Sequence, residues 1–193
     1  MRHLHLRLHG ASSRKIILLL LIIFALFFDF GIISLGEKIS HEADSLGNSQ
    51  RIASPWEYKI KDIVRGTPME KMAPYISLRQ KATAAFLVSV AKKESGLGKH
   101  APKLDGDDCY NYWGFRDQNL PTTESGFTCF SGPRQAIAVV SKRFDQLIVE
   151  EKRDTPEEMV VAWKCGYDCS WDNPAAVEKW INDVDYYFQK IYR

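Results

Sequence analysis

The sequence predicts a mainly α protein of the α+β class, with a small antiparallel β-hairpin or sheet between helices. Apolar residues recur at helical spacing over residues 74–94, 131–149 and 173–191. Two short aromatic segments, 111–115 and 126–130, are bounded by Asn, Asp, Ser and Gly and resemble strands. Because both follow the first long helix, we expect the sheet to be inserted there. Hydrophobic residues make up 45% and charged residues 26% of the chain, which favours a packed globular domain.

Residues 1–36 predict either a signal peptide or an N-terminal membrane anchor. Residues 1–15 contain four basic residues, and an apolar run from residue 16 to 28 follows them. After Asp29, further apolar residues extend the run to residue 33, close to the ~20 residues that span a bilayer. If the leader is not cleaved, residues 16–33 hold the protein in the membrane. In both cases the bulk of the chain is exported, so we expect an extracytoplasmic protein, membrane-anchored or secreted to the cell wall.

The exported part of the chain has almost no net charge. Residues 1–36 hold four of the 26 basic and one of the 24 acidic residues, so the remainder has 22 basic and 23 acidic residues. This balance leaves no basic stripe, and no nucleic-acid partner is expected. Residues 37–69 are polar and predict a linker or arm, although the tail 56–64 has apolar residues at near-helical spacing. The packed domain is expected over residues 70–193.

All the cysteines lie in the exported part: Cys109, Cys129, Cys165 and Cys169. An even number of cysteines in an exported chain predicts disulfides. Four cysteines allow three pairings, of which we favour the two pairings between neighbours, Cys109–Cys129 and Cys165–Cys169. The Cys-x-x-x-Cys spacing does not fit a zinc knuckle, so no metal is expected, and no cofactor is expected.

The most informative stretch is 86–100, where a predicted helix ends at Glu94 and glycines follow at once. At about 100° per residue, Glu94 lies within roughly 20° of Leu87 on the apolar face, while its basic neighbours point elsewhere. A carboxylate held against apolar side chains has a raised pKa, which is the property that a glycosidase general acid uses. Gly96 and Gly98 supply the positive φ that ends a helix. We therefore expect Glu94 at the end of an element, open to a cleft.

Three segments of the predicted domain resemble the motifs of one enzyme family. They are Ala91-Lys-Lys-Glu-Ser-Gly-Leu-Gly-Lys99, Asn111-Tyr-Trp-Gly-Phe115 and Thr122-Thr-Glu124. In this order they resemble the bacterial glucosaminidase-type domain (glycoside hydrolase family 73) of the lysozyme-like superfamily, over about residues 70–191. The resemblance implies a lysozyme-like fold and cleavage of β-1,4 glycosidic bonds in peptidoglycan, an amino-sugar polysaccharide.

The resemblance also implies roles for individual residues. Glu94 would be the general acid, and Glu124 the second catalytic carboxylate, which activates water; alternatively, the acetamide of the substrate does the work of the nucleophile. Aromatic faces suit sugar rings, so Tyr112, Trp113 and Phe115 are expected to line the groove. Asn111 is expected to bind the substrate there through a hydrogen bond to an acetamide, unless its side chain holds its own turn. Two alternatives remain open: a lytic transglycosylase with a single catalytic Glu, and a membrane-tethered cell-wall-binding protein without turnover on the same fold.

Overall fold

The computed structural model of the protein describes residues 54–193. The predicted leader, residues 1–36, and residues 37–53 of the predicted arm lie outside the described residues. The described part is mainly helical and contains a small two-stranded antiparallel sheet, as predicted. Within residues 54–193, no helix has the length and apolar character needed to cross a membrane.

The helices and strands follow one another in a simple order. The helices are α1 Glu57–Val64, α2 Ala73–Ile76, α3 Lys81–Ser95, α4 Pro133–Val149, α5 Pro156–Trp163 and α6 Pro174–Tyr192, with 3-10 turns at Pro68–Met72 and Cys169–Trp171. The strands β1 Lys103–Leu104 and β2 Asp107–Asp108 lie between α3 and α4 and pair antiparallel, with Lys103 opposite Asp108.

The helix that ends near Glu94 is the centre of the core. All residues of α3 from Thr83 to Ala91 are buried, as expected for a helix covered on every side. The ring centroid of Phe86 lies 4.5 Å from that of Phe188 on α6 and 5.7 Å from that of Phe144 on α4. Phe144 in turn stacks on Trp163 of α5 at 4.1 Å. The two other long helices therefore hold α3 in place.

Side-chain hydrogen bonds cap the starts of two helices. At the start of α5, Thr155 Oγ1 accepts from the backbone N–H of Glu158, whose carboxylate accepts from the backbone N–H of Thr155. At the start of α6, Asn173 Oδ1 accepts from the backbone N–H groups of Ala175 and Ala176. These caps fix the two helices that bring tryptophans to the candidate site.

The helix before Glu94 is shorter than the sequence predicted. A single helix over residues 74–94 was expected, but α2 ends at Ile76 and α3 begins at Lys81. The Ser77 hydroxyl donates to the Pro74 carbonyl, and Gln80 is extended, with φ −58° and ψ 150°. Side-chain hydrogen bonds of this kind offer the backbone an alternative to a continuous helix.

The sheet lies at a different place from the one predicted. Residues 111–115 and 126–130 were expected to form strands, but this region holds an isolated bridge between Thr122 and Thr128. The strands instead flank Asp105 and Gly106, whose φ values of 53° and 92° suit a two-residue hairpin turn. The acidic segment 105–108 is therefore partly strand.

The packed part of the chain begins before residue 70. Ile60, Val64 and Met69 are fully buried, and the backbone N–H of Met69 donates to the Leu97 carbonyl at 3.2 Å. The buried apolar residues of α1 thus pack on the domain, although residues 56–64 were predicted to belong to the arm.

Candidate functional site

The Glu-Ser-Gly-x-Gly motif forms the end of α3. The buried Ser95 hydroxyl donates to the Tyr112 carbonyl at 2.8 Å and accepts from the Gly98 N–H at 2.9 Å. Gly96 ends the helix in the left-handed conformation, with φ 62°. At Gly98, a Cβ atom would lie 2.7 Å from the Tyr112 ring, so only glycine fits there. The motif therefore holds the segment 111–115 against the helix end.

Asn111 fixes the shape of that segment. Its Nδ2 donates to the carbonyls of Phe115 and Thr128, both at 2.8 Å, and its Oδ1 accepts from the Phe115 N–H at 2.9 Å. The residue is fully buried. The predicted contact of this amide with a sugar therefore competes with three hydrogen bonds that it already makes within the protein.

Tyr112 lies in the core and not in the predicted groove. It is fully buried, its hydroxyl donates to Asp108 Oδ2 at 2.7 Å, and burial together with this bond raises its pKa far above its usual value. Trp113 is also buried, and its Nε1 donates to the Leu87 carbonyl at 2.7 Å. Trp113 and Phe115 nevertheless line a surface pocket.

Glu94 itself is exposed, so the expected burial of its carboxylate on the apolar face is wrong. Leu87, two turns earlier, is fully buried, but Glu94 lies in the last turn, where the helix emerges from the core. Its Oε1 accepts from Trp180 Nε1 at 2.7 Å, and Trp180 is a buried residue of α6. For Oε2, no hydrogen-bond partner occurs in the described part of the chain. One oxygen is thus fixed while the other faces solvent.

Two pockets meet at Glu94. The aromatic pocket, of about 300 Å³, is lined by Trp113, Phe115, Phe127 and Trp163 together with Arg116 and Arg143. The polar pocket, of about 330 Å³, is lined by Ser95, His100, Lys103, Asn111, Thr123 and Ser125, among others. Glu94, Gly114 and Phe127 contribute to both. We call the two pockets together the groove; Glu94 lies at its midpoint.

The second predicted carboxylate does not line the groove. The bridge between Thr122 and Thr128 closes a turn of residues 122–128, which we call the hairpin from here on. Glu124 is exposed in this hairpin, in which the Thr123 N–H donates to the Phe127 carbonyl at 2.9 Å. Its neighbours Thr123 and Ser125 line the polar pocket, whereas Glu124 lines neither pocket. Among the described residues that line the groove, Glu94 is the one carboxylate.

Both predicted disulfides are confirmed. Cys109–Cys129 joins the start of the segment 111–115 to the hairpin, and Cys165–Cys169 closes the loop that follows α5. Disulfides persist in oxidising compartments, which supports a location outside the cytoplasm.

Sequence patterns do not indicate three residues that contact or line the site. Trp163 and Trp180 recur at helical spacing, which favours a place in the core. The structure shows that each also donates a hydrogen bond at the site, Trp180 to Glu94 and Trp163 Nε1 to the Trp113 carbonyl at 3.1 Å. Arg116 belongs to no motif, so no pattern indicated it.

Comparison with known proteins adds no assignment: no protein-family model, curated protein or solved structure matches the chain. The described residues by themselves define a mainly helical, disulfide-bonded domain with a groove centred on one carboxylate.

Proposed function

We propose that the protein is an exported peptidoglycan hydrolase of the N-acetylglucosaminidase type, which cleaves β-1,4 glycosidic bonds with Glu94 as general acid. The observation that carries this proposal is the position of Glu94 at the midpoint of the groove. A polysaccharide that occupies both pockets would pass this carboxylate, so that a glycosidic oxygen comes within reach of its proton. The resemblance of the motif around Glu94 to the glucosaminidase-type family supports the same conclusion.

The two halves of the groove suit an amino-sugar polymer. Aromatic side chains such as Phe115 and Trp163 offer flat apolar faces to the CH-rich faces of sugar rings. The hydroxyl groups of Thr123 and Ser125 offer hydrogen bonds to hydroxyl and acetamide groups.

A groove with one carboxylate limits the possible mechanisms. Glu94 would protonate the leaving oxygen while the acetamide of the substrate attacks the sugar carbon in place of an enzymic nucleophile. Glu94 would then accept a proton from the water that completes hydrolysis. The Trp180 N–H would hold the carboxylate in a fixed orientation through both steps.

The position of Glu124 favours a second candidate, the lytic transglycosylase, which also uses a single Glu. In that reaction a hydroxyl of the sugar replaces water and gives an anhydro-sugar product. Both reactions need Glu94, so a Glu94 variant cannot distinguish them. The chemical nature of the product distinguishes hydrolysis from transglycosylation.

The test is mass spectrometry of the soluble products after purified peptidoglycan is incubated with the disulfide-bonded protein. We expect reducing-end sugars from the wild type, none from Glu94→Gln, and wild-type amounts from Glu150→Gln, a control at an exposed glutamate after α4. Anhydro ends would identify a transglycosylase. Glycan binding that persists in Glu94→Gln, with no product from the folded wild type, would identify a non-catalytic wall-binding protein.

Glu124→Gln tests the single-carboxylate mechanism. We expect the variant to keep its rate within a few-fold, because the side chain does not line the groove. A loss as large as that of Glu94→Gln would show that the hairpin closes over bound substrate and that Glu124 acts as a second acid.

A further inference from the structure

Arg116 is held in a defined position at the wall of the aromatic pocket. Its guanidinium carbon lies 4.1 Å from the ring centroid of Phe127, a cation–π contact. Its Nη1 donates to the Ser125 carbonyl at 2.6 Å. Gly126 has φ 78°, and a Cβ atom there would lie 2.8 Å from Nη1. The ring, the carbonyl and the space left by glycine therefore form a seat for the guanidinium.

The charge of Arg116 has no acidic partner in the described part of the chain. No carboxylate lies within ion-pair distance of it, whereas Arg143 of the same pocket pairs with Glu151 at 3.3 Å. The backbone contact occupies Nη1, and a guanidinium has five N–H donors in a rigid fork. The remaining donors are free to receive an anionic group of a ligand, and carboxylates match this fork.

The other side of Glu94 has no comparable feature. Lys103 lines the polar pocket and is exposed, but no cation–π contact or ion pair holds its side chain among the described residues. The remaining polar side chains of that pocket are the His100 imidazole and several hydroxyl and amide groups. The groove is therefore asymmetric, with a cation held by Phe127 and Ser125 on one side, and on the other a lysine without an ion pair beside imidazole, hydroxyl and amide groups.

We propose that Arg116 binds the carboxylate carried by every second sugar of a peptidoglycan strand, an inference that rests on the proposed function. The strand alternates N-acetylglucosamine with a sugar that bears a lactyl arm, which ends either in a free carboxylate or in a peptide with carboxylates of its own. The aromatic pocket takes the sugar with this arm, and the polar pocket takes its neutral neighbour.

This assignment fixes the register of the strand in the groove. Because the two sugars alternate, a strand shifted by one sugar would present a neutral residue to Arg116 and lose the contact. The preferred register places one of the two chemically different β-1,4 bonds beside Glu94. Arg116 would thus determine which bond is cut.

The experiment measures binding without turnover. In a Glu94→Gln background, calorimetry compares three tetrasaccharides: an N-acetylglucosamine oligomer, the alternating strand with free lactyl carboxylates, and the same strand with its peptides. We expect a carboxylate-bearing strand to bind at least about tenfold tighter than the neutral oligomer, the range of one hydrogen-bonded charge contact. Tighter binding of only the strand with free lactyl carboxylates shows that the lactyl carboxylate is bound. Tighter binding of only the strand with peptides shows that a peptide carboxylate is bound.

Three variants test whether Arg116 is the residue that causes the preference for carboxylate-bearing strands. Arg116→Gln should reduce it to near onefold, Arg116→Lys should retain part of it, and Lys103→Gln, which removes the unseated cation, should leave it unchanged. Thermal melting of each variant confirms that the fold is retained.

The outcomes separate the two proposals. If the parent binds none of the three strands, the proposed function fails. If it binds acidic and neutral strands equally, or if Lys103→Gln and not Arg116→Gln removes the preference, glycan binding stands and the assignment of Arg116 is overturned.

Discussion

Replacing Gly98 by alanine tests how the helix end holds the segment beside Glu94. A Cβ atom at this position would lie 2.7, 2.8 and 2.9 Å from three carbons of the Tyr112 ring. The ring cannot easily move, because it is fully buried and its hydroxyl is bonded to Asp108. The backbone at Gly98 also has φ 90°, in the left-handed half of conformational space.

The expected loss combines two contributions. Overpacking of a filled core costs about 1–3 kcal/mol, and a left-handed backbone costs an L-residue about 1–2 kcal/mol, so Gly98→Ala should lower the free energy of unfolding by about 2–5 kcal/mol. Gly96 is a matched control, because it has φ 62° and its nearest neighbours would lie 3.6 and 3.8 Å from a Cβ atom. Gly96→Ala should therefore lose only the backbone contribution of about 1–2 kcal/mol.

The assay is urea denaturation of the disulfide-bonded protein, followed by tryptophan fluorescence. Gly98→Ala should lose more free energy of unfolding than Gly96→Ala, and this difference measures the cost of the close contact with the Tyr112 ring. If Gly98→Ala loses no more stability than Gly96→Ala, the close contact does not constrain the fold and the reasoning is wrong. A Tyr112→Leu background should reduce the effect of Gly98→Ala, because contacting residues are energetically coupled.

Two further predictions concern stability. Replacing Cys109 and Cys129 by serine removes a disulfide between residues 20 positions apart and should lower the free energy of unfolding by about 3 kcal/mol. Replacing Cys165 and Cys169, which are 4 positions apart, should cost less, because the loop that their disulfide closes is shorter. Equal losses of stability in urea would contradict this loop-closure explanation. The hydrogen bond from the backbone N–H of Thr155 lowers the pKa of Glu158 from its ordinary value of 4.5. A lowered pKa adds stability above the unfolded-state value, and this is lost as the pH falls through the folded-state value. Glu158→Gln keeps an acceptor but does not titrate, so its urea midpoint should be below that of the wild type at pH 7 and equal to it near pH 2, as protonation removes the difference. A gap of constant size would show that the charge of Glu158 has no part in the cap.

The helices of the second half were predictable because their signals are local. Thr155 and Asn173 cap the helices that follow them, and apolar residues repeat with the helical period. The sheet was misplaced because the decisive bonds are not local. The Asn111 side chain bonds the backbone at Phe115 and Thr128, which removes the need for a strand partner at the place where aromatic residues favoured one.

The candidate site was predictable in its position but not in its surroundings. The glycines after Glu94 indicated a helix end, but a helical wheel gives an angle and cannot show whether a neighbour covers the last turn. Trp180 lies 86 residues from Glu94 along the chain, and its spacing on α6 indicates burial alone. The hairpin places the Phe127 ring beneath the Arg116 guanidinium, and this cation–π contact has no signature in the sequence.

The disulfide Cys109–Cys129 links the assembly of the groove to the compartment in which the chain resides. Cys109 precedes the segment that supplies Trp113 and Phe115, and Cys129 follows the hairpin that supplies Phe127. In a reducing cytoplasm these thiols stay unpaired, so the two walls are tethered only by non-covalent contacts. The covalent link between the two walls of the groove therefore forms only in an oxidising compartment.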